Sequence, residues 1–446
     1  MRSRDGFYRS AFALAVPVAL QSMLQASFSA VDQIMIGRLG SVSVAGVGLA
    51  GKFSSIHGVL TASVGTVAAV MLAQYLGQGN KPALRRSFRV NLGIALGVAA
   101  VFALVCLALP RRIMALYSTD APTVEIAAEY LSLLAGSFVP AAASTLLSAL
   151  LRCMEKPLLP LYAGIASALV NTALNALLIF GGPGVPAMGA RGAALATLIA
   201  QWVNLLILLA LWRRIPHSGD AGGRAAKAGH FNWRKYGAML LPVLTCELFW
   251  SLGENVYAGV YGRLGAQACA AMTLTNPVQS LNIGALCGLS QAAGVLVGKA
   301  LGRGDGDGAD RAARRLMLCG LAASAVLSGL ILCIAPLYVR IFRVEPEVRQ
   351  MTRRILAVYA AVAPVKVQNM ILGGGVIRSG GRTSYILWVD LIGTWCFGVP
   401  LACISAFVWK LPVHWVYGLL SLEECVRLAI SLGIFRSRRW MRRLEA

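Results

Sequence analysis

Asp32 is the first residue of this 446-residue chain that demands a chemical explanation. It stands in a long apolar stretch, between Val31 and the run Gln33-Ile34-Met35-Ile36. A carboxylate taken out of water needs a counter-charge, and a proton or a sodium ion can supply it in turn. That is the chemistry of an ion-coupled carrier, whose acid alternates between two occupancies. A satisfied aspartate near the membrane surface is the other reading of the same residue. Further along, Asn171 and Asn175 are four apart, so their amides share one face of a helix. Two amide carbonyls beside a carboxylate make an oxygen-rich hole that suits a hard cation. By themselves they serve equally well as hydrogen-bond glue between helices. Gln21 and Thr197 are further candidates for the same polar pocket.

The second half has its own polar set. Glu247 and Glu254 are seven residues apart, two helical turns on one face, with Trp250 and Tyr257 between and beyond them. Acids of this kind attract a cation, and the aromatic faces can stack against a flat one. Lys366 with Asp390 or a glutamate makes a charge-compensated pair, and Glu423, Glu424 and Arg427 sit at helical ion-pairing distance. These read as local pairs, and His57 and His414 as packing histidines. Ten cysteines occur, none in a Cys-x-x-Cys pair, and most stand singly in apolar runs as small hydrophobes. The stretch Gly302 to Gly308 lacks the Gly-Lys-Ser/Thr ending of a phosphate loop. No nucleophile with a base and no paired histidine motif appears, so an enzyme is not expected, and neither a cofactor nor a structural metal.

The elements that must position these residues are membrane helices. The chain is 57% hydrophobic and 13% charged, against roughly a quarter charged for soluble domains. Apolar runs near the ~20 residues that span a bilayer fall at about 11–36, 45–73, 90–110, 124–148, 158–180 and 191–211. The second half adds about 236–261, 269–298, 316–338, 355–376, 384–408 and 414–434. The first run is too long for a cleavable signal peptide. A net charge of +23 invites a nucleic-acid partner, but the placement of the charge argues against one. With the N-terminus cytoplasmic, most Lys and Arg fall in cytoplasmic loops and tails, as in Lys81, Arg85, Arg86 and Arg89 or Arg436 to Arg443. The basic balance therefore orients the chain and contacts anionic lipid. Arg340, Arg343, Arg349, Arg353 and Arg354 fall on the other side, against that rule.

An internal repeat organises the spans. Pro17 answers Pro242, Gly37-Arg-Leu-Gly40 recurs as Gly262-Arg-Leu-Gly265, and Gly77-x-Gly79 as Gly302-x-Gly304, all at an offset of 225 positions. Six crossings per half return the chain to its starting side, so the halves form a parallel repeat. The expected fold is all-α and integral to the membrane, with twelve transmembrane helices in two pseudo-symmetric six-helix bundles. Residues 1–214 make the first lobe, 215–235 a cytoplasmic linker and 236–446 the second lobe. Both termini are expected in the cytoplasm, and the protein is expected to act as a monomer.

At this point the chain resembles a known family. Pro17-Val-Ala-Leu-Gln21 through Val31-Asp32 to Gly40, the loop Gly77-Gln-Gly79, and Asn171-Thr-Ala-Leu-Asn175 before Gly181 look like multidrug and toxic compound extrusion (MATE) transporters. Met188 to Thr197, and Leu151-Arg152 with its echo Ile377-Arg378, fit as well. The resemblance implies two six-helix lobes, a V-shaped central cavity and cation-coupled export in the inner membrane. It implies a cation-binding role for Asp32, with Asn171 beside it and Thr197 at a loosely matching position. Asn175 stands where some members carry Asp, leaving one carboxylate in this lobe. Glu247 resembles the seventh-helix acid of one bacterial branch. Trp250 stands where other branches place it, and no tenth-helix acid appears near Lys366. The reading is an antiporter of amphipathic, often cationic compounds, with Gln21, Glu247, Trp250, Glu254 and Tyr257 in the substrate cavity. The alternative is a lipid-linked saccharide or lipid flippase of the same superfamily, which favours a basic cavity.

Overall fold

A computed structural model of the chain describes residues 4–182, 184–214, 232–340, 342 and 344–444. Most of the expected linker, 215–231, and Arg343 lie outside the described residues. The first half contains α1 (Arg4–Gly37), α2 (Ser41–Gln78), α3 (Lys81–Ala108), the short α4 (Pro110–Ala115), α5 (Ala121–Ala135), α6 (Phe138–Cys153), α7 (Leu158–Phe180) and α8 (Ala190–Arg213). The second contains α9 (Trp233–Arg263), α10 (Ala266–Gly302), α11 (Gly306–Arg340), α12 (Pro346–Asn369), α13 (Ser384–Asp390), α14 (Val399–Cys403), α15 (Val413–Leu420) and α16 (Leu422–Ser437). Three wide π-helical segments interrupt this half: Met370–Ile377, Leu391–Gly398 and Ile404–Val408.

Helix starts follow their capping chemistry. The Asn80 side chain accepts from Ala83 N at 3.0 Å ahead of α3, and Asn232 accepts from Lys235 N at 2.9 Å ahead of α9. Among the described residues ten helices are long and apolar enough to cross a bilayer, and α5 with α6, bent by 49°, makes an eleventh. The bend falls at Gly136-Ser137, just ahead of Pro140, where the sequence offers a kink. The twelfth span corresponds to α15 and α16, which are interrupted at Ser421 and carry Glu423, Glu424 and Arg427. Neither piece, of 8 and 16 residues, is long enough by itself to cross a bilayer.

By packing, the chain divides into two compact units. One is Leu20–Leu72 with Gly79–Phe231; the other is Asn232–Glu445 with Met1–Ala19 and Ala73–Gln78. The first turns of α1 join the second unit because Gly288 of α10 lies against the Ala15 carbonyl, where a Cβ would collide. The end of α2 joins it through the repeated glycines. A Cβ on Gly77 would strike the Lys299 carbonyl, and one on Gly302 would strike that of Gln74. These contacts are reciprocal under the 225-residue offset, since Gln74 corresponds to Lys299 and Gly77 to Gly302. Between them Gly298 faces its own counterpart, Ala73, with 3.0 Å from an added Cβ to the Ala73 Cβ. The other motif glycines serve as turns: Gly40 and Gly265 have φ of 93° and 113°, and Gly79 and Gly304 have φ of 69° and 78°. A side chain would be strained at all four.

Candidate functional site

In the first unit, α7 turns one polar stripe inward: Ser167, Asn171 and Asn175 are all buried, at successive i+4 positions. The helix is pinned to α8, where Ser167 Oγ donates to the Ala200 carbonyl at 2.8 Å. Gly192 of α8 lies so near the Leu178 carbonyl that any Cβ would clash, so the two backbones run in contact. This fixes Asn171 and Asn175 opposite Asp32 on α1. Asn175 Nδ2 donates to Asp32 Oδ1 at 2.8 Å and to Asn171 Oδ1 at 3.1 Å. Asn171 Nδ2 reaches Thr197 Oγ1 at 3.4 Å, and the Thr197 hydroxyl donates to the Ala193 carbonyl at 3.0 Å.

One contact in this row decides what it can do. The Asn171 amide end that faces the acid lies 3.0 Å from Asp32 Oδ2 and 3.2 Å from Oδ1. If that end is oxygen, it needs a proton on Asp32 or a cation shared between the oxygens. If Asp32 is ionised and bare, the amide must turn to present its nitrogen. Asn175 Oδ1, also buried, accepts nothing from the described residues. The row therefore has donors for an ionised acid and spare acceptors for an incoming cation. Gln21 is not brought into it: its side chain lies against Gly164, with the amide nitrogen 3.6 Å from where a Cβ would be. Gly164 precedes Asn171 by seven residues, about two turns of α7.

The second unit holds a denser polar assembly centred on α16. Arg427 stands 3.6 Å from Glu423, 3.8 Å from Glu424 and 3.7 Å from Asp390, and it donates to Thr394 Oγ1. Tyr257 Oη donates to Glu423 Oε2 at 2.6 Å, and Asn369 Nδ2 donates to Glu424 Oε2 at 2.8 Å. Lys366 is paired with Glu424 at 3.9 Å, and Glu247 with Arg378 at 3.8 Å. Asp390 also accepts from Cys246 Sγ at 2.8 Å. Glycines make this packing possible. A Cβ on Gly393 would enter Arg427, and one on Gly398 would enter Glu423 and Tyr257. The two are five apart in a π-helical segment, whose i→i+5 bonding stacks them on one face.

Two adjoining cavities open on this assembly, of about 250 and 340 Å³. Glu254, Lys366, Glu423 and Glu424 line both. The smaller is walled by Tyr257, Tyr261, Tyr359 and Tyr417. The larger adds Glu247, Trp250, Arg378, Asp390 and Arg427. Four of the residues expected in a substrate cavity thus line these two: Glu247 and Trp250 the larger, Tyr257 the smaller and Glu254 both. Lys366 pairs with a glutamate and not with Asp390. Glu423, Glu424 and Arg427, read from sequence as a local pair, are the hub of the assembly. Their signal was legible as three ionisable residues within one apolar span; what it lacked was the partners on α9, α12 and α13. All ten cysteines are free thiols. His57 is buried against Phe138, ring centroids 4.5 Å apart, with Thr61 Oγ1 3.2 Å from its Nε2, a packing role.

A family model described as MatE matches residues 17–177 and again 242–404. The probable multidrug resistance protein NorM of Bradyrhizobium diazoefficiens is 29% identical, over 88% of this chain and 85% of its own. The uncharacterized transporter YisQ of Bacillus subtilis is 23% identical, covering 97% of this chain and 95% of its own. A crystal structure of MATE in complex with MaL6 superposes with a TM-score of 0.87 at 18% identity, over 97% of this chain and 96% of that one. At that identity the likeness speaks for the twelve-helix fold.

Proposed function

Since the chain belongs to the MatE family of multidrug efflux transporters, we propose that it is an inner-membrane antiporter with both termini cytoplasmic. It exports amphipathic organic cations in exchange for protons or sodium ions, by alternating access. The observation that carries this reading is the row Asp32–Asn175–Asn171–Thr197, in which one acid faces amides that can either donate to it or accept beside it. When the acid is ionised, Asn175 and a rotated Asn171 hold it. When a proton or cation arrives, the Asn171 oxygen returns to face it and the spare Asn175 oxygen adds an acceptor. Occupancy of Asp32 thereby changes the hydrogen bonds that join α1 to α7, the kind of bistable contact a carrier can use.

Substrate binding falls to the cavities of the second unit. The larger is lined by five carboxylates (Glu247, Glu254, Asp390, Glu423, Glu424) against three cations (Lys366, Arg378, Arg427). That balance favours a cation over the pyrophosphate of a lipid-linked saccharide, and the tyrosine walls favour a flat aromatic one. The test is Asp32→Asn in proteoliposomes under separate proton and sodium gradients. Gradient-driven efflux is expected to disappear while binding of the organic cation persists. Coupled efflux at the parent rate would remove Asp32 from the mechanism.

A further inference from the structure

Where the end of the chain folds back on the start of α9, a cavity of about 360 Å³ is lined by Lys235, Arg382, Arg442 and Arg443, with Ser384 and Tyr385 beside them. The cations come from three segments distant in sequence: the first turn of α9, the turn before α13 and the C-terminal tail. Among the described residues, no carboxylate lines the cavity. Acids on the neighbouring start of α11 are engaged elsewhere, with Asp307 and Asp310 at 3.0 and 3.9 Å from Arg438. Like charges converging on one cavity repel, and a bound anion converts that repulsion into attraction.

The tail that brings two of these arginines is held in place. Trp440 is fully buried, its Nε1 donates to the Phe435 carbonyl at 3.2 Å, and its own carbonyl lies where Gly380 has no Cβ. Gln74 Nε2 donates to the Arg442 carbonyl at 3.1 Å, its Oε1 accepts from Leu444 N at 2.7 Å, and Gln78 Nε2 donates to the Leu444 carbonyl at 2.6 Å. Arg442 and Arg443 are therefore presented by a fixed backbone. On the same two helices, Trp233 in the first turn of α9 is 62% exposed, and Trp388, one turn beyond Tyr385 on α13, is 59% exposed. Tryptophans at the ends of membrane helices mark the headgroup level. A molecule filling this place meets the guanidinium groups together with Ala238 and Met239 of α9.

We propose that the cavity binds the phosphate group of an anionic phospholipid, whose acyl chains run along α9 and α13 and whose headgroup ties the C-terminal tail to both helices. Guanidinium pairs suit phosphate oxygens by charge and by fork geometry. The test melts purified full-length protein in detergent with added phosphatidylglycerol, phosphatidylcholine or inorganic phosphate. Phosphatidylglycerol is expected to raise Tm, and the triple variant Arg382→Gln, Arg442→Gln, Arg443→Gln to lose most of that rise. A triple variant with equal charge loss elsewhere (Arg340→Gln, Arg353→Gln, Arg354→Gln) keeps it. Should the first triple variant not fold, Arg382→Gln serves alone, its side chain being exposed and bonded to Tyr385 Oη at 3.2 Å; it is expected to lose part of the rise. A rise from phosphatidylcholine equal to that from phosphatidylglycerol, or one untouched by these substitutions, overturns the site. An equal rise from inorganic phosphate overturns the lipid assignment in favour of a soluble anion.

Discussion

At the scale of single residues, the two polar assemblies differ in how their charges are met. Among the described residues Asp32 is met by neutral amides, and on the proposed reading its counter-charge comes from the coupling ion. Glu424 is met by Lys366, Arg427 and Asn369, so its counter-charges are built in. Asn175 donates directly to Asp32, whereas the Thr197 hydroxyl is already committed to the Ala193 carbonyl. Asn175→Leu should therefore lower ion-driven efflux by about ten-fold or more, the worth of a hydrogen bond to a charged group. Thr197→Val should cost much less, and initial rates in proteoliposomes separate the two. In the second unit Lys366 is the accessible counter-ion: it lines both cavities and stands 3.9 Å from Glu424. On the proposed reading, an organic cation entering there competes with it. Lys366→Gln should tighten binding of a monovalent aromatic cation by up to about five-fold, the ~1 kcal/mol of a partly exposed pair. Glu424→Gln should weaken it, and fluorescence titration of the purified protein reads both.

At the scale of elements, glycine explains most of what the helices do together. The ends of α2 and α10 touch through Gly77 and Gly302, and α16 sits against the π-helical segment Leu391–Gly398 through Gly393 and Gly398. Gly77→Ala and Gly302→Ala should each lower Tm, since the added methyl meets backbone that cannot swing aside. The overpacking cost is about 1–3 kcal/mol. Gly97→Ala, with nothing within 4 Å of the new Cβ, should leave Tm unchanged or slightly raised, because alanine favours the helix. The repeated glycines were visible in sequence as punctuation at a fixed spacing. Their division into turn glycines (Gly40, Gly79 and their counterparts) and contact glycines (Gly77, Gly302) was not, since sequence carries neither φ nor neighbours. The π-helical segments had no signal in the apolar pattern either: a wide turn preserves hydrophobicity and changes only which residues face a partner.

At the scale of the whole molecule, the MatE model matches twice in tandem, from residues 17 and 242, with the same spacing as the repeat. Twelve crossings in two parallel halves return the chain to the side from which it began. A green fluorescent protein fused after Ala446 should fluoresce in cells, and alkaline phosphatase at the same point should be inactive. Fusion after Tyr117, beyond α4, should give the reverse pattern. Active phosphatase after Ala446 would invert the proposed orientation. It would also set the basic cavity of the tail against the outer leaflet.

Hydrophobic periodicity, the excess of Lys and Arg in alternate loops and the spaced glycines determined a duplicated helical membrane protein. The lone Asp32 with the i, i+4 pair Asn171 and Asn175 named the polar row of the first unit. These are local or one-dimensional properties, and a bilayer enforces them because every buried backbone group must be satisfied within its own helix. Only the tertiary structure decided which distant groups meet: that Glu423, Glu424 and Arg427 gather Asp390, Lys366 and Tyr257, that Gln21 lies against Gly164, and that four cations surround one cavity at the tail. A helix fixes which residues share a face, but the crossing of helices, set by glycines and π turns, chooses what each face will touch.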